Sequence, residues 1–75
     1  MKLTDTVKTK NGRFVVVDTC YTFDHGLETM VFASDEKGTI KDWSDLDAMT
    51  YSTTEEAKAG HQQMIEEWKE AELYG

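Results

Sequence analysis

The chain has 75 residues and a net charge of −7, so it has room for one small domain with a modest core. A single cysteine excludes an internal disulfide and is typical of a reducing cytosol, and every apolar run is shorter than the roughly 18 residues that span a bilayer. The acidic charge repels nucleic acid and membrane surfaces, which leaves basic protein surfaces as the favoured partners. We expect one cytoplasmic domain over residues 1–75.

The charge is unevenly distributed along the chain. Residues 1–13 hold four cations against one acid, a balance of +3, whereas residues 14–75 hold fourteen acids against four lysines, a balance of −10. Acidity of this kind most often serves only to keep a small protein soluble. The alternative is that it attracts a partner with a basic surface.

The first part of the chain has the pattern of a β-hairpin. Residues 3–9 alternate weakly between apolar and polar side chains, and residues 13–22 are rich in β-branched and aromatic side chains. Asn11-Gly12 between them is a strong hairpin signal, because both residues tolerate a positive φ. These features predict two antiparallel strands joined by a tight turn.

The second predicted strand is apolar on both faces. One face carries Phe14, Val16 and Cys20, and the other carries Val15, Val17 and Tyr21. Such a strand is typically covered on both sides, but a single helix covers only one of them. The other face is expected either to lie open as an interface or to be closed by the N-terminal hairpin. The candidates for an open interface are Tyr21, Val15, Val17 and Trp43.

Further turn signals divide the middle of the chain into short segments. Residues 27–34 form the next predicted strand, and residues 35–38 form a turn that ends in a glycine. Residues 39–43 are predicted as a shorter strand, followed by a polar bend and a brief extended segment over residues 48–51. The spacing predicts a three- to four-stranded antiparallel meander, with all strands within residues 2–51.

The last third of the chain has the periodicity of one amphipathic helix, predicted over about residues 53–72. Thr53 and Glu56 fit a capping box, in which each side chain accepts from the backbone N–H of the other residue. The apolar stripe consists of Ala57, His61, Met64, Ile65 and Trp68, and the outer face includes Glu55, Glu66, Glu67 and Glu70. Gly60 borders the stripe and favours a close approach to a strand. The predicted fold class is α+β, with this C-terminal helix packed on one face of the meander.

The residue types that catalysis uses are few and scattered. His61 lies in the apolar stripe, where a hydrogen-bonded core histidine is the more common role, and His25 lies in a predicted turn. Cys20 lies within a strand, where a small buried hydrophobe is the more common role. One cysteine and two distant histidines do not make a zinc site. We predict no catalytic residue, no metal site and no cofactor, and a protein that is not an enzyme.

Three stretches carry a family resemblance over about residues 27–68. They are Leu27-Glu28-Thr29-Met30-Val31-Phe32, then Asp42-Trp43-Ser44-Asp45-Leu46-Asp47, then Tyr51, Thr53, Glu55-Glu56-Ala57, Gly60-His61 and Met64. In this order they resemble small, largely uncharacterised proteins of bacteriophages and prophages of Gram-positive bacteria, in which an E-T-M-V-F strand, a D-W bend and a Y-x-T-x-E-E-A-x-x-G-H helix start recur. The resemblance implies a phage context and the cytosol of a bacterial host. Small acidic phage proteins frequently bind a host protein, and some block defence nucleases by presenting carboxylates in place of DNA phosphates.

Two functions follow as hypotheses. The first is a non-enzymatic, acidic, phage-type protein that binds and inhibits or modulates a host protein with a basic surface, such as a defence or nucleic-acid-handling factor. Its candidate partner-binding residues are Glu55, Glu66, Glu67, Glu70, Trp43 and Tyr21. The alternative is a structural or scaffolding protein that forms a homo-oligomer through an open sheet face.

Overall fold

The computed structural model describes residues 1–74, which form one antiparallel sheet and one helix. The elements are β1 (Lys2–Lys8), β2 (Phe14–Thr22), β3 (Gly26–Ser34), β4 (Asp47–Tyr51) and α1 (Thr54–Lys69). The strands lie in the order β1-β2-β3-β4, so the four-stranded sheet is a simple meander with α1 packed on one face. The predicted α+β fold is confirmed. Within residues 1–74, no helix has the length and apolar character needed to cross a membrane.

The β1–β2 turn lies at the predicted position but has a different conformation. It is a five-residue connection, in which Thr9 N–H donates to the Arg13 carbonyl (2.8 Å) and Gly12 N–H donates to the Thr9 carbonyl (3.1 Å). Gly12 has a φ of 82°, whereas Asn11 does not adopt a positive φ. Asn11 instead bonds both the carbonyl and the N–H of Leu73 through its side-chain amide, at 2.8 and 3.1 Å. The turn therefore anchors the segment that follows α1.

The predicted strand over residues 39–43 is wrong. In this region only Ile40 forms a bridge, to Ser34, and Trp43 lies in a loop. The Asp35 carboxylate accepts from two backbone N–H groups within the loop. The segment keeps backbone hydrogen bonds to the end of β3, from Lys41 N–H to the Ala33 carbonyl and from Asp35 N–H to the Thr39 carbonyl, without forming a regular strand. The fourth strand is β4, at the segment predicted only as a brief extended piece, and it pairs Leu27 with Tyr51.

The helix-facing side of the sheet holds the core. Its buried residues are Val7, Val15, Val17, Val31, Met64 and Ile65. Val15 and Val17 were expected on an open face, but both are 0% exposed because α1 covers them. Alternation along β2 places these two valines on the face that receives the helix.

The opposite face is neither open and apolar nor closed by the N-terminal hairpin. The loop between β3 and β4 covers one end of it, where the Trp43 ring lies 5.3 Å from the Phe32 ring and Val16 is buried. The rest of this face is polar at its β1 edge, where Asp18 binds Lys2 (3.2 Å) and accepts from the Thr4 hydroxyl (3.0 Å).

The helix begins and ends close to its predicted limits. Glu56 N–H donates to the Thr53 hydroxyl (3.1 Å), while the Glu56 carboxylate accepts from Ser52 N–H (3.3 Å), one residue before the predicted partner. The helix ends at Lys69, where Glu70 and Ala71 N–H groups bond carbonyls three residues back and close the last turn. Ala57, His61, Met64 and Ile65 are buried, and Trp68 is half-buried, as the stripe predicts.

Gly60 allows α1 to pack directly on Tyr51 of β4. A Cβ atom at this position would overlap the carbon and oxygen atoms of the Tyr51 ring. The close approach expected from Gly60 is confirmed. It holds the first half of the helix against the edge of the sheet.

Replacing Gly60 with alanine tests this close approach. Alanine adds about 1 kcal/mol of helix propensity, but overpacking against the Tyr51 ring costs about 1–3 kcal/mol. We expect Gly60→Ala to lower the free energy of unfolding in a urea titration. Ala59→Gly, at the exposed neighbouring position, measures the propensity effect alone. A more stable Gly60→Ala protein would contradict the packing.

Candidate functional site

A chain of hydrogen-bonded side chains crosses the interface between the sheet and the helix. His61 on α1 bonds Asp5 through Nε2 (2.7 Å) and Thr19 through Nδ1 (2.6 Å). The Thr19 hydroxyl bonds the Thr29 hydroxyl (2.5 Å), and the Tyr51 hydroxyl donates to Thr29 (3.0 Å). We call these five residues the polar relay. Each of the five secondary-structure elements contributes one member.

When His61 is neutral, the hydroxyl groups of the relay all donate toward the His61 ring. The Asp5 carboxylate only accepts, so Nε2 of His61 carries the hydrogen and Nδ1 is the acceptor. The Thr19 hydroxyl then donates its single hydrogen to Nδ1, and the Thr29 hydroxyl donates to Thr19. Tyr51 donates to Thr29, which satisfies every member of the relay.

The relay has the residue types of a hydrolase triad, but its two threonine hydroxyls are not accessible. Thr19 and Thr29 are 0% exposed and His61 is buried, so a substrate has no path to the hydroxyl that His61 faces. Cys20 lies on the opposite face of the sheet from Thr19, because neighbouring residues of a strand alternate in direction. The geometry assigns His61 the structural role that its place in the stripe predicts.

The outer face of α1 is an exposed row of acids. Glu55, Glu66, Glu67 and Glu70 are all exposed. Two glutamates are held along the helix surface, because Gln62 donates to Glu66 (3.1 Å) and Gln63 donates to Glu67 (3.2 Å). Lys69 also binds Glu66, at 3.4 Å, which partly neutralises that carboxylate. We call these four glutamates the acidic helix face.

The two aromatic candidates lie on different parts of the molecule, and neither is on α1. Tyr21 is 63% exposed near the end of β2, at the end of the sheet where α1 begins. Trp43 is 73% exposed on the β3–β4 loop, which covers the sheet face opposite α1. The structure therefore places Glu66, Glu67 and Glu70 together near the end of α1 and Glu55 at its beginning, and it does not join them to Trp43.

Asp42 in the β3–β4 loop and Asp47 at the start of β4 both accept hydrogen bonds from groups within the protein. Asp42 accepts from Ser44 N–H (2.9 Å), and Asp47 accepts from Ala48 N–H (3.0 Å) and from the Trp68 indole (3.3 Å). Among residues 1–74, no group of three or more histidine, cysteine or acidic side chains is placed to hold a metal ion. These carboxylates cap the loop and tie β4 to α1.

An open groove of about 580 Å³ lies at the other end of the sheet and was not predicted from the sequence. Its apolar lining includes Phe14, Leu46, Leu73 and Tyr74. Leu73 is held there by Asn11, a contact between residues 62 positions apart that no local pattern signals. The Tyr74 hydroxyl donates to the Glu72 carboxylate (2.5 Å), and this bond raises the pKa of the phenol above 10.0.

This chain matches no protein-family model, no curated protein and no solved structure. Its function is therefore inferred from its own core and surface.

Removing one hydroxyl of the relay tests its contribution to stability. Thr19→Val keeps the side-chain shape but leaves Nδ1 of His61 buried without a donor, which costs about 1–3 kcal/mol. We expect a loss of this size in urea unfolding. Thr50→Val, on the exposed part of β4, is the matched control and should change stability by no more than about 0.5 kcal/mol. Equal effects of the two substitutions would contradict the relay.

The tautomer of His61 tests the direction of the hydrogens. We expect long-range ¹H–¹⁵N spectra, recorded where the ring is neutral, to show a protonated Nε2 and an unprotonated Nδ1, because Nε2 faces the Asp5 carboxylate. His25, which lies exposed in the β2–β3 loop, is the internal reference. A hydrogen on Nδ1 of neutral His61 would contradict the assignment.

Proposed function

We propose that this chain is a non-enzymatic binding domain of phage type that binds a basic surface of a host protein and inhibits or modulates it. The observation that carries the proposal is the acidic helix face. Its four glutamates are exposed on one rigid element, and Lys69 is the cation that binds one of them. Charge presented in this way favours encounter with a basic partner.

The helix is well suited to hold such a surface in place. Its inner side is fixed by Gly60 against Tyr51 and by His61 within the relay, so the outer carboxylates need little ordering when a partner binds. The relay also keeps the His61 ring and the hydroxyls of Thr19 and Thr29 inside the protein. This division supports binding over catalysis.

The kind of partner that we propose is a nucleic-acid-handling or defence factor. A protein of that class carries a basic groove that normally accepts phosphates. A row of carboxylates has the same sign of charge and competes for the same lysine and arginine side chains. The net charge of −7 adds a long-range attraction toward such a groove.

Self-association through an open sheet face has less support. The loop that carries Trp43 covers the apolar end of the face opposite α1. At the β1 edge, the same face presents the Lys2–Asp18 ion pair. Neither part offers the large apolar patch that a stable sheet-to-sheet dimer uses.

The binding proposal predicts a steep dependence on salt and on the acidic helix face. The chain, immobilised and exposed to bacterial lysate, should retain a basic protein at about 50 mM salt and lose most of it at about 500 mM. Glu67→Lys combined with Glu70→Lys should reduce the retained protein at least about tenfold, because two carboxylates become cations.

The matched control is Glu36→Lys combined with Asp45→Lys. Both residues are exposed on the β3–β4 loop, and this pair changes the net charge by the same amount as the helix pair. Retention should fall much less than with the helix pair. Equal losses would show an effect of net charge only, and salt-independent retention would contradict the proposal.

A further inference from the structure

The loop between β2 and β3 presents the most exposed large apolar side chain of the described chain. Phe23 is 96% exposed at this tip. Tyr21, two residues before it, is 63% exposed, and its backbone N–H donates to the carbonyl of Met1, which is itself exposed (3.4 Å). Met1, Tyr21 and Phe23 are therefore three exposed apolar residues at the same end of the sheet, and we call this set the tip cluster.

The loop that carries Phe23 is held in a defined conformation. Thr22 and Gly26 form the last pair of the β2–β3 ladder, which leaves residues 23–25 as the loop. The Thr22 hydroxyl accepts from His25 N–H (3.1 Å), and Gly26 adopts a left-handed φ of 73°. A loop fixed in this way loses little conformational entropy when its side chain enters a pocket.

The fold does not use the Phe23 side chain. With 96% of its surface exposed, the ring contributes almost no buried area to the core. Burial of a phenylalanine ring at an interface removes apolar surface from water, so Phe23 can add affinity that does not come at the cost of the core. Aromatic residues of this kind are frequent anchors of protein interfaces.

Acidic residues lie in the Phe23 loop and on the elements at the same end of the sheet. Asp24 lies in the loop itself, and Glu28 lies near the start of β3. The pairing of Leu27 with Tyr51 brings the end of β4 to the same end of the sheet, and α1 begins three residues later with Glu55 and Glu56 in its first turn. An apolar anchor within an acidic rim is complementary to an apolar pocket with a basic rim, and it is repelled by anionic lipid.

We propose that Phe23 is the apolar anchor of this protein's interface and inserts into an apolar pocket rimmed by lysine or arginine side chains on the partner protein. The inference rests on the proposed function, which supplies the basic partner. Glu55 belongs both to the acidic helix face and to the acids beside the tip cluster, so one partner surface meets the beginning of α1 and the loop together.

Photo-crosslinking in bacterial lysate tests the anchor. p-Benzoylphenylalanine is placed at position 23 of the full chain and, as the control, at position 74, an aromatic residue that is 75% exposed at the other end of the sheet. The protein that crosslinks at position 23 is identified, purified and titrated against the unlabelled chain. A crosslinked peptide with apolar and basic residues is expected, whereas no crosslink above the position-74 control overturns the proposal.

The titration compares the unchanged chain with three variants, which are Phe23→Ala, Tyr74→Ala and the helix pair Glu67→Lys with Glu70→Lys. Phe23→Ala should raise the dissociation constant at least about tenfold, and Tyr74→Ala should change it less than about threefold. Phe23→Ala should also leave the urea midpoint unchanged, because the ring is outside the core. If Phe23→Ala has no effect while Glu67→Lys with Glu70→Lys weakens binding, the anchor is overturned and the proposed function stands.

Other outcomes would contradict the anchor proposal or identify a different binding partner for Phe23. If neither Phe23→Ala nor the helix pair weakens binding, both proposals fail. A crosslink from position 23 to a second copy of the chain overturns the anchor in favour of self-association. Co-sedimentation with phosphatidylcholine vesicles that Phe23→Ala abolishes overturns it in favour of a membrane surface.

Discussion

The arrangement of the fold depends on the polar relay between the sheet and the helix. Asp5, Thr19, Thr29, Tyr51 and His61 come from the five different elements, so one set of hydrogen bonds joins the whole domain. Buried polar groups are costly when unpaired, and a slip of one residue in β2 would move Thr19 to the opposite face. The relay therefore selects one register of the strands and one rotation of α1, while the surrounding valines supply most of the burial.

This internal use of His61 has a consequence for the surface. The group most suited to proton transfer is buried and bonded at both ring nitrogens, so the exposed features are left to interact with other molecules. They are carboxylates on a fixed helix and aromatic rings on loops. A domain of this size has a small margin of stability, and the residues proposed for recognition lie outside the core, so they can change without weakening the fold.

Much of the fold follows from the sequence, because local patterns and the close approach at Gly60 agree with the final packing. The location of the fourth strand does not, since residues 39–43 have strand-like composition but form only an isolated bridge to β3 beside the loop that the Asp35 carboxylate holds. The relay had a partial signal: Thr19 shares the phase of Val15 and Val17, which marks it as buried. The pairing of Thr19 with His61 on α1 depends on tertiary packing, as does the contact between Asn11 and Leu73.

In the proposed complex, the exposed surface makes two physical contributions to binding. The glutamates of α1 act over roughly a Debye length and affect mainly the rate of encounter, an effect that salt weakens. Phe23 acts only on contact, and burial of its ring affects mainly the rate of dissociation, with little dependence on salt. Glu55 and Glu56 lie at the end of the sheet where the Phe23 loop projects, so attraction by the helix brings the anchor toward the same partner surface. The proposal thus assigns the approach to charge and the stability of the complex to the aromatic ring.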